Sequence, residues 1–340
     1  MTGTWPAFRA LPAYFGGKRR LSRPILALLT KAVPRNRWPD LTFVDSFLGG
    51  GSVSLMAKAQ GFRVVCNDLA LRSAAVGRAL VANSTVTLGT GDLAVLLRKP
   101  EADYRRRAEE RYSPVVFPRS HAVLLDRILH NLQEFYEPKR SLATLLVVKW
   151  ALRIQPMSML RGTDARAAFG GDLDRVSAHR LGHYLNGRKL LRSEAWLGLM
   201  EEVNGGVFPG RGEAHQRDAL AFLKSVKGDV VYLDPPYPST TSYEREYAVL
   251  DDLLEGETRP ASEFSRSAGS LPELFAACRG IPVWLISLNN AALELEELLD
   301  LVRQHRPNVR AIEVPYRHLG SIASKKKNET NREYIVLATD

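Results

Sequence analysis

Short and nearly continuous runs of apolar residues alternate with amphipathic segments at both ends of this 340-residue sequence. Apolar runs without polar alternation are typical of strands that are buried on both faces, as in parallel sheets. The runs that predict strands are 41–46, 62–67, 230–234, 282–287, 309–314 and 332–338. The segments between them repeat apolar residues every three or four positions, as amphipathic helices do. This alternation predicts an α/β fold with a doubly wound sheet.

The middle of the chain, from about residue 95 to 210, breaks this alternation. It is basic and rich in loop-forming residues, and its clearest periodic segment, 141–154, has the pattern of a helix. We therefore predict that residues 1–95 and 209–340 are two parts of one catalytic sheet domain. Residues 96–208 are predicted to be an inserted, mostly helical domain.

The excess of positive charge indicates a polyanionic partner. The net charge is +10 and the isoelectric point is about 9.7, a balance that favours nucleic acid. Residues 101–200 hold 17 lysines and arginines against 11 aspartates and glutamates, so they carry +6 of the +10. The insertion is therefore the part that we expect to contact nucleic acid.

Several classes of protein are disfavoured by what the sequence lacks. No apolar stretch approaches the length of a membrane span, and the N-terminus has none of the features of a secretory signal. Two cysteines, Cys66 and Cys278, are too few for a disulfide framework or a cysteine-based zinc site. We expect a cytoplasmic protein with no metal centre and no membrane partner.

The stretch FVDSFLGGGSV at 43–53 predicts a strand, a glycine turn and a helix. Glycines let the backbone approach a ligand closely, and the helix that follows offers free N–H groups. The next predicted strand ends at Asp68, which is well placed for the hydroxyls of a ribose. Its alternative role is the N-cap of a helix that starts near Leu69. The sequence contains no Gly-x-x-x-x-Gly-Lys-Ser/Thr loop, so a nucleoside cofactor without phosphates fits better.

The stretch VVYLDPPYP at 230–238 ends a strand in a rigid corner that is poor in backbone donors. Open α/β sheets bind ligands at the carboxyl ends of their strands. Asp234 and the carbonyl of Pro235 can each accept one N–H of a nucleobase amine. Pro236 stiffens the corner, and the ring of Tyr237 can stack on the base. Two acceptors on one amine reduce the delocalisation of its lone pair into the ring, so the amine becomes a better nucleophile.

With these motifs the chain resembles the Dam-type (class alpha) DNA N6-adenine methyltransferases, which use S-adenosylmethionine. YFGGKRRL at 14–21 is similar to their N-terminal Trp-x-Gly-Gly-Lys segment, and DSFLGGGSV is similar to their Phe-x-Gly-x-Gly loop. Asp-Pro-Pro-Tyr is their catalytic motif, and the order of loop, long insertion and catalytic motif also agrees. The resemblance covers residues 10–95 and 210–338. It implies a Rossmann-like methyltransferase sheet whose last strand is antiparallel, with the insertion as a target-recognition domain.

The resemblance also implies roles for particular residues. The expected catalytic residues are Asp234, Pro235, Pro236 and Tyr237. The expected cofactor-binding residues are Tyr14, Lys18, Phe47, Gly49, Gly51, Asp68 and Asp218. For Asp218, the cap of a helix at 219–226 is an equally good explanation.

The expected DNA contacts lie in the insertion and in a late loop. Arg153 and Arg161 match two arginines that open the family's recognition domain, although Met-Ser replaces the family's Asn-Gly between them. Arg166 follows in a turn-rich stretch, and arginine is the commonest reader of guanine edges. The basic run at 104–112 is left open between DNA contact and a solvated face. The lysines expected to contact the DNA backbone are Lys325, Lys326 and Lys327.

The function that follows is methylation of the N6 amine of adenine in double-stranded DNA, with the target base flipped out of the helix. Methylation of cytosine N4 is the nearest alternative reaction. A catalytically silent DNA-binding protein with the same fold is the alternative from another class. A cognate restriction or defence component is left open as a partner.

Overall fold

A computed structural model places the chain in two compact units. Unit 1 comprises Met1–Phe15, Arg78–Pro209 and Glu244–Arg259, and unit 2 comprises Gly16–Gly77, Gly210–Tyr243 and Pro260–Asp340. The residues that the structure describes are 5–14, 17–101, 103–113, 116–154, 188–236, 243–256, 264, 267–290, 292–315 and 331–340. The domain bounds given above stay a prediction. The compact units differ from them chiefly because residues 1–15, 78–95 and 244–259 group with the middle of the chain.

Unit 2 is built on one seven-stranded sheet. Its strands are β1 (Thr42–Asp45), β2 (Arg63–Asn67), β3 (Arg211–His215), β4 (Val230–Leu233), β5 (Val283–Asn289), β6 (Asn308–Pro315) and β7 (Arg332–Thr339). Their order in the sheet is β3-β2-β1-β4-β5-β7-β6. Neighbours pair in parallel except at β7, which is antiparallel to both β5 and β6. The predicted doubly wound sheet with an antiparallel last strand is confirmed.

Strand β3 is not predicted by the sequence, because its five residues, RGEAH, contain no apolar run. It lies at one edge of the sheet, beside β2, and none of its residues is buried. An edge strand exposes one side to water, so backbone pairing can hold it without an apolar face.

Helices follow most of the strands in unit 2 and fill unit 1. Within the described residues they are α1 (Ser22–Leu29), α2 (Ser52–Ala59), α3 (Leu71–Val76), α4 (Thr90–Leu97), α5 (Arg107–Tyr112), α6 (Arg119–Asn131), α7 (Lys139–Ile154), α8 (Ser193–Asn204), α9 (Ala219–Leu223), α10 (Tyr243–Glu255), α11 (Leu271–Ala277) and α12 (Leu295–Arg303). In this part of the chain no helix has the length and apolar character required to cross a membrane.

Alternate residues of each strand face opposite layers of unit 2. Val231 and Leu233 of β4 belong to an apolar core that also includes side chains of α9, α11 and α12. Strand side chains alternate between the two faces, so Tyr232 points to the opposite face. On that side α2 contacts β1 and β2, and α1 contacts β7. The alternation assigns Asp45, Asp234 and Glu333 to this second face.

The described part of unit 1 contains helices and no strand, as predicted for the insertion. Two of its helices, α7 and α8, pack through stacked rings of Trp150 and Trp196, whose centroids are 5.0 Å apart. Lys149 on α7 is buried and donates to the carbonyl of Leu11 at 3.2 Å. This bond ties the N-terminal segment to the helical unit.

Candidate active site

The glycine turn after β1 is fixed by backbone geometry and by the end of β2. Gly49 and Gly51 have φ angles of 51° and 78°, a left-handed region that glycine enters without steric cost. The amide of Leu48 donates to the carbonyl of Asn67 at 2.9 Å. Among the described residues, and apart from the chain neighbours of Gly49, no atom lies within 4 Å of the position that a Cβ would take on this glycine. The turn is therefore held on one side and open beside Gly49.

Asp68 connects the end of β2 to this turn. Its Oδ2 accepts from the amide of Gly49 at 2.8 Å, and its Oδ1 accepts from the amide of Ala70 at 3.0 Å. Helix α3 begins at Leu71, and its N-cap position is Ala70, so Asp68 is not the N-cap that the sequence offers as its alternative role. A carboxylate oxygen can accept more than one hydrogen bond, so these two contacts do not by themselves exclude the predicted role of Asp68 toward a ribose.

Lys18 places its ammonium between two carboxylates. Its Nζ lies 2.9 Å from Asp234 Oδ1 and 3.2 Å from Glu333 Oε1. The side chains of Lys18 and Glu333 are 4% and 1% exposed, whereas that of Asp234 is 17% exposed. Asp234 directly follows β4, and Glu333 at the start of β7 pairs with Asn289 at the end of β5. The antiparallel direction of β7 thus brings Glu333 to the carboxyl ends of the parallel strands.

Asp45 is a buried carboxylate at the end of β1. Ser54 donates to its Oδ2 at 2.7 Å, and the amide of Phe47 donates to its Oδ1 at 3.3 Å. Burial, together with the negative charges of Asp234 and Asp68, raises the pKa of Asp45 to about 7, against the lowering effect of the Ser54 and Phe47 hydrogen bonds. Asp45, Asp68 and Asp234 therefore form an electrostatically coupled set around the glycine turn.

Comparison with known proteins shows which proteins the chain resembles. A family model described as D12 class N6 adenine-specific DNA methyltransferase matches residues 14–146, which include the glycine turn and Asp68. Over these residues the chain is similar to this class of DNA methyltransferases. The Type II methyltransferase M2.HphI of Haemophilus parahaemolyticus is 26% identical over 343 residues, which cover 95% of this chain and 96% of that protein. The predicted adenine-specific enzyme is confirmed, and neither comparison supports the cytosine-N4 or silent alternatives.

The Asp218 carboxylate of the methyltransferase caps α9, since its Oδ1 accepts from the amide of Ala221 at 3.0 Å. The loop before it is held by Asn67, which donates to the carbonyl of Arg217 at 2.9 Å and accepts from the amide of Arg217 at 3.0 Å. The cap that the sequence predicts as one explanation is confirmed. The contact of Asp218 with the cofactor's adenine stays a prediction.

Two predicted cofactor-binding aromatic residues lie in different units of the methyltransferase. Phe47 is half-buried after β1, and its ring meets that of Phe264 edge-on at 5.4 Å. Tyr14 belongs to unit 1, where its ring meets that of Tyr247 edge-on at 5.0 Å. Their cofactor contacts stay predictions, and Tyr237 of the catalytic motif lies outside the described residues.

Of the residues predicted to contact DNA, the structure describes Arg153. Its Nη2 lies 2.7 and 2.6 Å from the two carboxylate oxygens of Glu202 on α8. The basic run at 104–112 is partly structural, because Arg107 is buried and pairs with Asp252 at 2.8 Å. The other predicted contacts lie outside the described residues: Arg161, Arg166, Lys325, Lys326 and Lys327.

The sequence patterns do not single out two acidic residues of the candidate site, Asp45 and Glu333. Asp45 immediately precedes the glycine turn at the end of an apolar strand. Glu333 is a charge at the start of the apolar run EYIVLA. A carboxylate at the tip of a buried strand is the signal that could have identified both, because such a group requires a partner when it is buried.

Proposed function

We propose that the chain transfers a methyl group from S-adenosylmethionine to the N6 amine of adenine in double-stranded DNA, with Asp234 as the acceptor that orients the amine. The single observation that supports this site is the position of Asp234, which lies after β4 at the carboxyl ends of the strands and is held by Lys18 at 2.9 Å. The carboxylate is partly exposed and already oriented, so a flipped base can reach it without rearrangement of the sheet.

The residues around the glycine turn fit S-adenosylmethionine. When bound, that cofactor supplies an electrophilic methyl group on a sulfonium. Its sulfonium and ammonium charges suit a site where Asp45, Asp68 and Asp234 raise the local negative potential. The backbone of Gly49 and Gly51 would accept close approach of the cofactor, and Asp68 would accept from its ribose. The proposed role of Lys18 is to hold Asp234 at the edge of this site.

On the DNA side, Asp234 accepts one N–H of the adenine amine and the carbonyl of Pro235 accepts the other. This pair of acceptors keeps the lone pair on nitrogen available for the methyl group. Pro235 is buried and Pro236 is half-buried, so the corner that carries the carbonyl is held firmly. Tyr237 would stack on the extruded base, which offsets part of the few kcal/mol that base flipping costs.

The reaction is tested by incubating the enzyme with plasmid DNA and methyl-labelled S-adenosylmethionine, followed by nucleoside analysis. We expect the label in N6-methyladenine. Label in N4-methylcytosine would contradict the proposed substrate, and unlabelled DNA in the presence of bound cofactor would contradict the proposed reaction.

Cofactor binding is tested at Asp68. We expect Asp68→Ala to weaken S-adenosylmethionine binding by roughly one to two decades, since a charged hydrogen bond contributes roughly 1.5–3 kcal/mol. Part of this loss would come from the released Gly49 amide. Calorimetry with the wild type and with the exposed Asp40→Ala supplies the comparison. Unchanged affinity in Asp68→Ala would leave this residue with its turn-holding role alone.

The relative M2.HphI is named as a Type II methyltransferase, and we propose by similarity that this chain also serves in restriction and modification. Unit 1, which contains most of the basic middle of the chain, would read the DNA sequence. A cytoplasmic location stays a prediction. Growth of cells that carry the companion nuclease gene, with and without the methyltransferase, would test the protective role.

A further inference from the structure

Glu333 is a charged residue at a position where packing alone would favour an apolar side chain. On the same strand and the same face, Ile335 and Leu337 are buried and apolar. Glu333 is itself fully buried. A buried carboxylate is costly unless it is paired, and replacement of a buried ion pair by apolar residues is often neutral or stabilising. The charge at this position therefore requires an explanation beyond the stability of the strand.

The explanation lies in the partner that Glu333 shares with the reaction site. Lys18 Nζ is 3.2 Å from Glu333 Oε1 and 2.9 Å from Asp234 Oδ1. One ammonium thus serves two carboxylates, and only Asp234 of the two is partly exposed. The position of Glu333 is fixed by the ladder between β5 and β7, and the amide of Arg332 donates to Asn290 Oδ1 at 3.0 Å.

We propose that Glu333 is a positioning residue for methyl transfer, which acts on Asp234 through Lys18. This proposal rests on the proposed role of Asp234. Because Glu333 shares the ammonium, it offsets part of the positive charge that Lys18 directs at Asp234, and the Asp234 carboxylate retains acceptor strength for the adenine amine. Without the Glu333 charge, Lys18 would bind Asp234 more strongly. The lone pairs of the Asp234 carboxylate would then point toward the ammonium and away from the base.

The first experiment compares Glu333→Gln with the wild type in single-turnover methylation at saturating DNA and cofactor. We expect the rate to fall by about tenfold to a hundredfold, the range usual for outer residues that orient a reacting group. Affinity for S-adenosylmethionine should stay within about twofold. Glu313→Gln, which alters an exposed glutamate on the neighbouring strand, is the matched control and should keep the wild-type rate. Glu333→Met also removes the charge, and its apolar side chain is of similar size. If Glu333→Gln is unstable, the same rate is measured with Glu333→Met.

The second experiment separates positioning from a structural role by a double-mutant cycle with Lys18→Met. If Glu333 acts through Lys18, its loss has no further cost once the lysine is gone. We therefore expect Lys18→Met/Glu333→Gln to be as fast as Lys18→Met or faster. A further tenfold slowing in the double variant would overturn the proposal.

Asp234→Ala, measured beside these variants, distinguishes failure of the inference on Glu333 from failure of the proposed function. If Asp234→Ala is inactive and the charge-free Glu333 variant keeps the wild-type rate, the inference on Glu333 is overturned and the proposed function stands. If Asp234→Ala retains the wild-type rate, both are overturned. If Asp234→Ala is inactive, Glu333→Gln is slow and the cycle is not additive, the inference is supported.

Discussion

Asp45 is a residue whose protonation the fold shifts into the physiological pH range. Its carboxyl group is buried after β1, and burial together with the charges of Asp234 and Asp68 raises its pKa to about 7. The carboxyl group is therefore partly neutral near physiological pH. Because the pKa is raised in the folded state, the contribution of Asp45 to stability is full below about pH 4 and is lost as the pH rises through 7.

This gives a prediction for Asp45→Asn, measured without cofactor. The asparagine cannot ionise, so the free energy of unfolding of the variant relative to the wild type should rise between pH 5 and pH 8.5. The rise over this pH range is about 3 kcal/mol if the unfolded chain has its ordinary pKa, because part of the contribution of Asp45 is already lost below pH 5. The measurement is urea unfolding at several pH values, with the exposed Asp40→Asn as the control. A difference that stays constant or falls with pH would contradict a raised pKa for Asp45.

At the scale of elements, helices α5 and α10 of unit 1 are joined by one buried carboxylate. Asp252 on α10 accepts from Arg107 at 2.8 Å through Oδ1 and from the hydroxyl of Tyr112 at 2.8 Å through Oδ2. Arg111 also reaches Oδ1, at 3.1 Å, but its side chain is 59% exposed. Arg107 is buried, so its pairing with Asp252 is the interaction whose loss should cost most.

We predict that Asp252→Asn destabilises the protein by roughly 3–5 kcal/mol, because it leaves the Arg107 guanidinium buried without its counterion. Amide hydrogen exchange in α10 should accelerate. Arg111→Gln is the control, since loss of an exposed pair should cost about 1 kcal/mol or less. If both variants lost the same small amount of stability, the buried Arg107–Asp252 pair would not be what holds α10 in place.

The elements show what sequence patterns can and cannot predict here. The apolar strands, the glycine turn and the antiparallel last strand are predicted because each leaves a local signal or matches the family. Strand β3 leaves none, because an edge strand needs no apolar run. The Lys18–Glu333 pair leaves no signal either, since it joins residues more than 300 positions apart and depends on the register between β5 and β7.

At the scale of the whole molecule, the net charge of +10 agrees with a DNA substrate. Part of the positive charge is neutralised within unit 1. Arg153, expected to contact DNA, pairs with Glu202, and Lys149 lies 3.3 Å from the same carboxylate. Arg153 is 43% exposed, so its guanidinium can contact DNA when it exchanges this partner.

For Arg153→Ala we predict one of two signatures of DNA contact. Loss of a base contact should cost about 1–3 kcal/mol and relax the methylated motif at one position. Loss of a phosphate contact should weaken binding to all sequences and lower the salt slope by about one. Genome-wide mapping of methylated sites and salt titrations would distinguish them, with Glu202→Gln as the control that keeps the arginine. If Arg153→Ala retains the parent motif and the parent salt slope, Arg153 does not face DNA. Arg161→Ala and Arg166→Ala extend the same test.

The measurement that tests the site most directly is single-turnover methyl transfer by Asp234→Ala at saturating DNA and S-adenosylmethionine, with cofactor affinity measured on the same preparation. Lys18 keeps Glu333 as a partner in this variant, so the fold and cofactor binding should persist. We expect bound cofactor and no detectable methylation of adenine. A variant that methylates adenine at the wild-type rate would contradict the assignment of Asp234 as the group that orients the amine.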